Sequence, residues 1–100
     1  IGPFLVSKDE IKDINNLNMF LDLNGNRMQT GNTSTMIFNI DTIVSYVSKF
    51  MSLQAGDIIT TGTPPGVGMG KKPQIFLKDG DNLELKIDNL GQQKSKVVAI

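Results

Sequence analysis

"NMFLDLNGNRMQTG", residues 18 to 31, decides the fold class. Met19, Leu21 and Leu23 alternate with Phe20, Asp22 and Asn24, the period of two that gives a strand one apolar face. Asn24-Gly25 tolerates the positive φ angles of a type I′ turn, so the chain is expected to reverse there into a second strand. The same alternation returns downstream, where Leu83, Leu85 and Ile87 are interleaved with Glu84, Lys86 and Asp88. That strand is expected to have a core face and a wet face. Asp79-Gly80 before it reads as the turn of another hairpin, and Gly91 turns the chain into a last extended segment, Lys94 to Ile100.

Between these strands lies a single helical pattern. From Asp41, the residues Ile43, Val44, Val47 and Met51 recur at helical spacing, with Tyr46 and Phe50 widening the face, which predicts one long helix near residues 41 to 52. Asp41 or Asn39 caps its start, and Gly56 ends the turn after Leu53. "SKDE" at Ser7 to Glu10 matches a capping box, but Asn15-Asn16 follows too soon for more than a single turn. Gly31 to Thr35 reads as a polar, hydroxyl-rich bend leading to Met36-Ile37-Phe38, a run too short to assign by period. Ile58, Ile59, Thr60 and Thr61 suit a buried strand. The fold class expected is α+β: a β-rich domain over residues 1–100 with one principal helix, and no repeat or linker.

Composition removes whole classes of function. Ten basic and ten acidic residues cancel, so no long-range field draws nucleic acid or an anionic membrane to the chain. There is no cysteine and no histidine, which excludes zinc fingers, disulfide frameworks, cysteine nucleophiles and every triad built on a histidine base. No apolar run approaches the ~20 residues that span a bilayer, and "IGPFLVSKDE" lacks the charged n-region and apolar h-region of a signal peptide. The expectation is a soluble, cytosolic protein. A start at Ile1 instead of Met reads as a processed or excised piece of a longer chain.

Chemistry is concentrated in "DIITTGTPPGVGMG", residues 57 to 70. A P-loop needs glycine where Pro65 stands, and Ser or Thr where Lys72 follows Lys71. A dinucleotide fingerprint fails too, because Gly66, Gly68 and Gly70 fall at alternate positions and Pro73 follows them. Two readings remain, a rigid surface turn and the backbone-lined lip of a pocket. Thr63 is the residue on which they differ: held between Gly62 and Pro64, its hydroxyl suits hydrogen bonding to a small oxyanion or carboxylate, or simply completes the turn. The carboxylates offer no ligand set for a metal. Glu84 and Asp88 lie on the wet face of a strand around Lys86, Asp79 and Asp81 bracket a turn glycine, and Asp57 organises the turn after Gly56. Asn32-Thr33-Ser34 matches a glycosylation acceptor, which without a signal peptide is read as part of the bend.

Four blocks taken together, "IGPFLVSKDEI", "QTGNTSTMIF", "LQAGDIITTGTPPGVG" and "FLKDGDNLEL", resemble the fumarylacetoacetate hydrolase superfamily through essentially the whole chain. The resemblance implies the family's C-terminal domain, a mixed, β-rich roll, and "GVGMGKKP" at Gly66 to Pro73 is similar to the branch of ureidoglycolate lyases and diketo-deoxy sugar acid hydrolases. It further implies hydrolase or lyase chemistry on a small 2-oxo or 2,4-dioxo acid, such as an acylpyruvate. By the same resemblance a Mg²⁺, or Mn²⁺ or Ca²⁺ in its place, would polarise the carbonyl at the pyruvoyl end and supply charge stabilisation as the carbon–carbon bond breaks. The family's metal carboxylates and active-site lysine precede the segment that resembles Ile1 to Pro3, so no catalytic or metal residue is assigned in this chain. What carries over is Thr63, in the position of the threonine that contacts the bound acid, with Gly62 beside it. By the same resemblance the parent is a homodimer or larger. The alternative is a non-catalytic binding or assembly domain that keeps the scaffold.

Overall fold

Asn24 and Gly25 adopt φ of 50° and 78° and turn strand β1 (Asn18–Leu23) into β2 (Asn26–Asn32), as the Asn-Gly pair requires. The computed structural model, which describes residues 1–100, adds β3 (Asn82–Ile87) and β4 (Gln92–Lys96) in a four-stranded sheet of order β2-β1-β3-β4. Every pairing is antiparallel. With one helix, α1 (Ile40–Val47), the architecture is α+β and β-rich, as the alternating segments require.

Register explains the two faces. Met19 pairs with Gly31 and Ile87, Leu21 with Gln29 and Leu85, and Leu23 with Leu83, so the apolar residues of β1 and β3 share one face, with Gln29 and Gly31 of β2 beside them. Between Leu21 and Asp22 the register slips, Asp22 pairing with Arg27, which leaves Met28 as the extra residue of a β-bulge. The slip sends Arg27 to the other face. There its guanidinium pairs with Asp22 and lies 4.0 Å over the Phe20 ring, and the Asp22 carboxylate raises its pKa further above the usual value.

Three expectations are corrected. Asp79-Gly80 is a turn, with φ of 85° at Gly80, but no strand precedes it. The second hairpin is β3–β4, turning through Asn89 and Gly91 at φ of 62° and 84°. The helix begins where Asn39 accepts a hydrogen bond from Thr42 N at 2.8 Å, yet it stops at Val47 instead of running to 52. Ser48 Oγ donates to Ser45 O at 2.9 Å, and tighter three-residue bonds from Lys49 N to Tyr46 O and Phe50 N to Val47 O mix with a four-residue bond, Met51 N to Val47 O, as the helix ends. Phe50 and Met51 are exposed, so the last turn lacks the burial that would hold it.

The third correction concerns residues 58–61, which are neither strand nor buried: Ile58, Thr60 and Thr61 are exposed and Ile59 is half-buried. Their backbone makes no hydrogen bond to any other backbone group of the chain. β-branched residues confer capacity for a ladder, but a strand needs a neighbour, and this chain provides none there. Burial is sparse throughout. Only Leu17 and Thr33 are buried, and they bond each other reciprocally: Leu17 N donates to Thr33 Oγ1 at 2.8 Å and Thr33 N to Leu17 O at 3.0 Å.

The short polar motifs are turns. Lys8–Glu10 form one 3₁₀ turn whose Ser7 side chain caps nothing, so the box is present in sequence only. Asn32 accepts from Ser34 N while its amide donates to Asn16 Oδ1 and Asn18 Oδ1, which commits the side chain of the Asn-Thr-Ser triplet internally.

Candidate functional site

The glycine-proline loop sits down on β2, and the glycines mark where. Gly31 lies beneath Pro64: a Cβ added there would stand 2.7 Å from the Pro64 Cβ. Gly66, at φ 108°, backs onto the bulged residue, where an added Cβ would come within 2.2 Å of the Met28 carbonyl oxygen. Gly68 approaches Ile75 O as closely, and opens the 3₁₀ turn Gly68–Gly70 closed by Gly70 N to Val67 O at 2.9 Å. Three of the loop's contacts therefore require the absence of a side chain. Gly62 differs: its φ of 92° needs glycine, but an added Cβ would meet nothing within 4 Å. Open space lies beside Thr63.

That space is a cleft of about 500 Å³. Thr61 to Pro65 form one lip, Met19, Met36, Phe38 and Ile43 supply apolar floor and wall, and Thr33 and Asn32 add polar groups. An apolar hollow with few polar groups at its edge suits a small molecule that carries one polar end. Thr63 is exposed in the lip, and its Oγ1 accepts a hydrogen bond from Gln29 Nε2 at 2.9 Å. The same Nε2 donates to Pro64 O at 2.7 Å. The hydroxyl's own approach to Pro64 O, at 3.4 Å, is too long for a good O–H···O bond. Thr63 can thus present its proton to a ligand. A second cleft, of about 440 Å³ between β1, β3 and β4, is lined by Asp22, Glu84, Lys94 and Lys96 and is a solvated face of mixed charge.

Metal chemistry finds no seat here. No three Asp or Glu side chains come together. Glu84 pairs with Lys94 and accepts from Gln92, Asp88 accepts from Asn18, Asp57 from Gln54 N at 2.7 Å, and Asp79 from Ala99 N at 2.9 Å. Asp81 accepts from Asn24 Nδ2 and Lys78 N, both at 2.8 Å, and these bonds, the Asn24 one foremost, lower its pKa. Each of these five carboxylates serves a turn or a strand. The residues present do not fit a divalent cation.

Gln29 went unnoticed in the sequence because a mid-strand glutamine carries no local signal. Its spacing of two from Gly31 was the available clue, since the two share a sheet face.

The fold is thus an antiparallel sheet that seats a glycine-proline loop beside an apolar cleft. Residues 1–98 match the family model described as fumarylacetoacetate (FAA) hydrolase C-terminal, and the chain belongs to that family. It is 57% identical over 98 residues to a 2,4-didehydro-3-deoxy-L-rhamnonate hydrolase of Sphingomonas sp. (strain SKA58), a match covering 97% of this chain and 34% of the relative. Among solved structures, a fumarylacetoacetate hydrolase from psychrophilic Exiguobacterium antarcticum superposes with a TM-score of 0.95 at 39% identity, over 99% of this chain and 35% of that one. Maleylpyruvate hydrolase from Sphingobium sp. SYK-6, in complex with manganese(II) ion and pyruvate, superposes with a TM-score of 0.88 at 36% identity, over 97% and 34%. The chain spans about a third of the length of each.

Proposed function

We propose that the whole protein hydrolyses a carbon–carbon bond in a small 2,4-dioxo acid, with a diketo-deoxy sugar acid as the leading substrate class, and that this chain builds one wall of its pocket. The observation that carries the reading is Thr63: an exposed hydroxyl at the edge of an apolar cleft, with a lone pair occupied by Gln29 and its proton free. The relative named as a 2,4-didehydro-3-deoxy-L-rhamnonate hydrolase supports the substrate class.

In such a reaction water adds to the distal carbonyl carbon, the bond to the methylene carbon breaks, and that carbon leaves as an enolate and takes up a proton. This chain's part is to hold the acid. Thr63 donates to one carboxylate oxygen, Gly62 leaves room for the approach, and Met36, Phe38 and Ile43 exclude water from the chain of the substrate. Ligation of a divalent cation falls to residues outside this chain, since no three of its carboxylates converge. The exposed Phe4, Leu5, Ile37, Phe50, Ile58 and Val98 support coverage by further protein, in a homodimer or a larger assembly.

Thr63→Val in the whole protein keeps the volume and removes the donor. A charge-assisted bond is worth about 1.5–3 kcal/mol, so kcat/KM for 2,4-dioxopentanoate falls roughly 10-fold to 150-fold with thermal stability unchanged. Unchanged kcat/KM with lowered stability makes the loop structure alone. A whole protein that neither binds pyruvate nor cleaves any 2,4-dioxo acid is a non-catalytic scaffold.

A further inference from the structure

We infer that Gln29 fixes the Thr63 hydroxyl as a donor, and so makes the cleft selective for an anionic acceptor such as a carboxylate. This rests on the reading of Thr63 as a substrate contact and adds the residue that gives it its polarity.

The geometry settles which amide atom faces the loop. A proline carbonyl can only accept, so the Gln29 atom 2.7 Å from Pro64 O is the NH₂ group. Its second hydrogen goes to Thr63 Oγ1 at 2.9 Å, and both donors are then used. Neither Pro64 nor Pro65 has an N–H, so the two prolines offer no backbone donor to this corner, and the half-buried Gln29 supplies it from β2. The nearest internal acceptor for the Thr63 proton, Pro64 O, is 3.4 Å away and already bonded to Gln29. The proton is therefore left without a good internal acceptor and is available to a ligand in the cleft. A freely rotating threonine would serve donors and acceptors alike; with Gln29 on its lone pair, it rewards a ligand that accepts.

The seating is built into β2. The Met28 bulge, the Gln29–Leu21 pairing and the bare Gly31 under Pro64 put the amide directly beneath the loop. Gln29 is thus a positioning residue that acts through Thr63.

The test is a double-mutant cycle on the whole protein, with pyruvate and its neutral analogue pyruvamide as probes in calorimetry and 2,4-dioxopentanoate as substrate. Gln29→Met, which changes no charge, is expected to weaken pyruvate binding 3-fold to 30-fold with Thr63 present, and to add nothing in the Thr63→Val background. Gln29→Glu, which accepts the Thr63 proton, is expected to shift the preference from pyruvate toward pyruvamide by at least tenfold. KM for 2,4-dioxopentanoate should rise in both variants while kcat changes less. Losses that add across the cycle, or that weaken pyruvate and pyruvamide equally, would make Gln29 a mere loop prop and overturn the inference while leaving Thr63 in the site. A Thr63→Val variant that binds pyruvate as tightly as the parent overturns the reading beneath it as well.

Discussion

Gly66→Ala and Gly62→Ala place the same methyl in one loop and should have different consequences. Both glycines hold positive φ, 108° and 92°, which costs an alanine about 1–3 kcal/mol at either position. At Gly62 nothing else is added, since the space around the new Cβ is open. At Gly66 the methyl would lie 2.2 Å from the Met28 carbonyl oxygen, roughly 1 Å short of an ordinary C···O contact. That oxygen belongs to backbone in the sheet and cannot swing aside as a side chain does. Overpacking of this kind costs about 1–3 kcal/mol more. For the whole protein the gap corresponds to a Tm lower by roughly 2–12 °C for Gly66→Ala than for Gly62→Ala. Calorimetric or fluorescence melting of both variants beside the parent measures it. Because Pro64 and Gly66 ride on the same strand, lifting the loop also separates Thr63 from Gln29, so Gly66→Ala should lose pyruvate affinity too. Equal melting temperatures for the two variants would refute the seating of the loop on the β2 bulge.

Thr33→Val removes the acceptor of the buried Leu17 N–H and should destabilise by about 1–3 kcal/mol, read as a shift in the urea midpoint with the slope unchanged. Asp81 has its pKa lowered by Asn24 and by Lys78 N, so the ionised form is favoured by folding. Its contribution is present above the unfolded carboxylate value of about 3.9 and is lost as pH falls through the lower folded value. Asp81→Asn should therefore flatten the acid arm of the Tm-against-pH curve below about pH 4, and a variant that melts in parallel with the parent through that window would show the linkage to be absent. Calorimetric titration of residues 1–100 with Mg²⁺ should give no saturable heat, because no three carboxylates converge; a stoichiometric site would mean that the chemistry has been misplaced.

The strands were legible where the physics is local. Leu83 to Ile87 and Met19 to Leu23 alternate because one face meets the other strands' apolar residues, and Asn24-Gly25 carries its own turn geometry. Asn39 capped the helix as its side chain allows, but the helix end was not legible, since it depends on packing that Phe50 and Met51 do not find. Ile58 to Thr61 have the composition of a strand and lack a neighbour, a fact that no window of sequence contains. The site divides in the same way. Gly62 and Thr63 announced a constrained hydroxyl, whereas Gln29 lies 34 positions from Thr63 and reaches it only through the pairing of β1 with β2 and the seating of the loop. The glycines, read as freedom to turn, prove at Gly31, Gly66 and Gly68 to be clearance for close approach.

The central claim is that Thr63 gives its proton to the carboxylate of a small acid while Gln29 holds its lone pair. A crystal structure of the whole protein with pyruvate bound measures this directly, as the distance from Thr63 Oγ1 to the nearest carboxylate oxygen. The account predicts about 2.5–3.0 Å, with Gln29 Nε2 still on Thr63 Oγ1 and Pro64 O. Pyruvate held with its carboxylate away from the loop, and the Thr63 hydroxyl bonded to water or to Pro64 O alone, would contradict it.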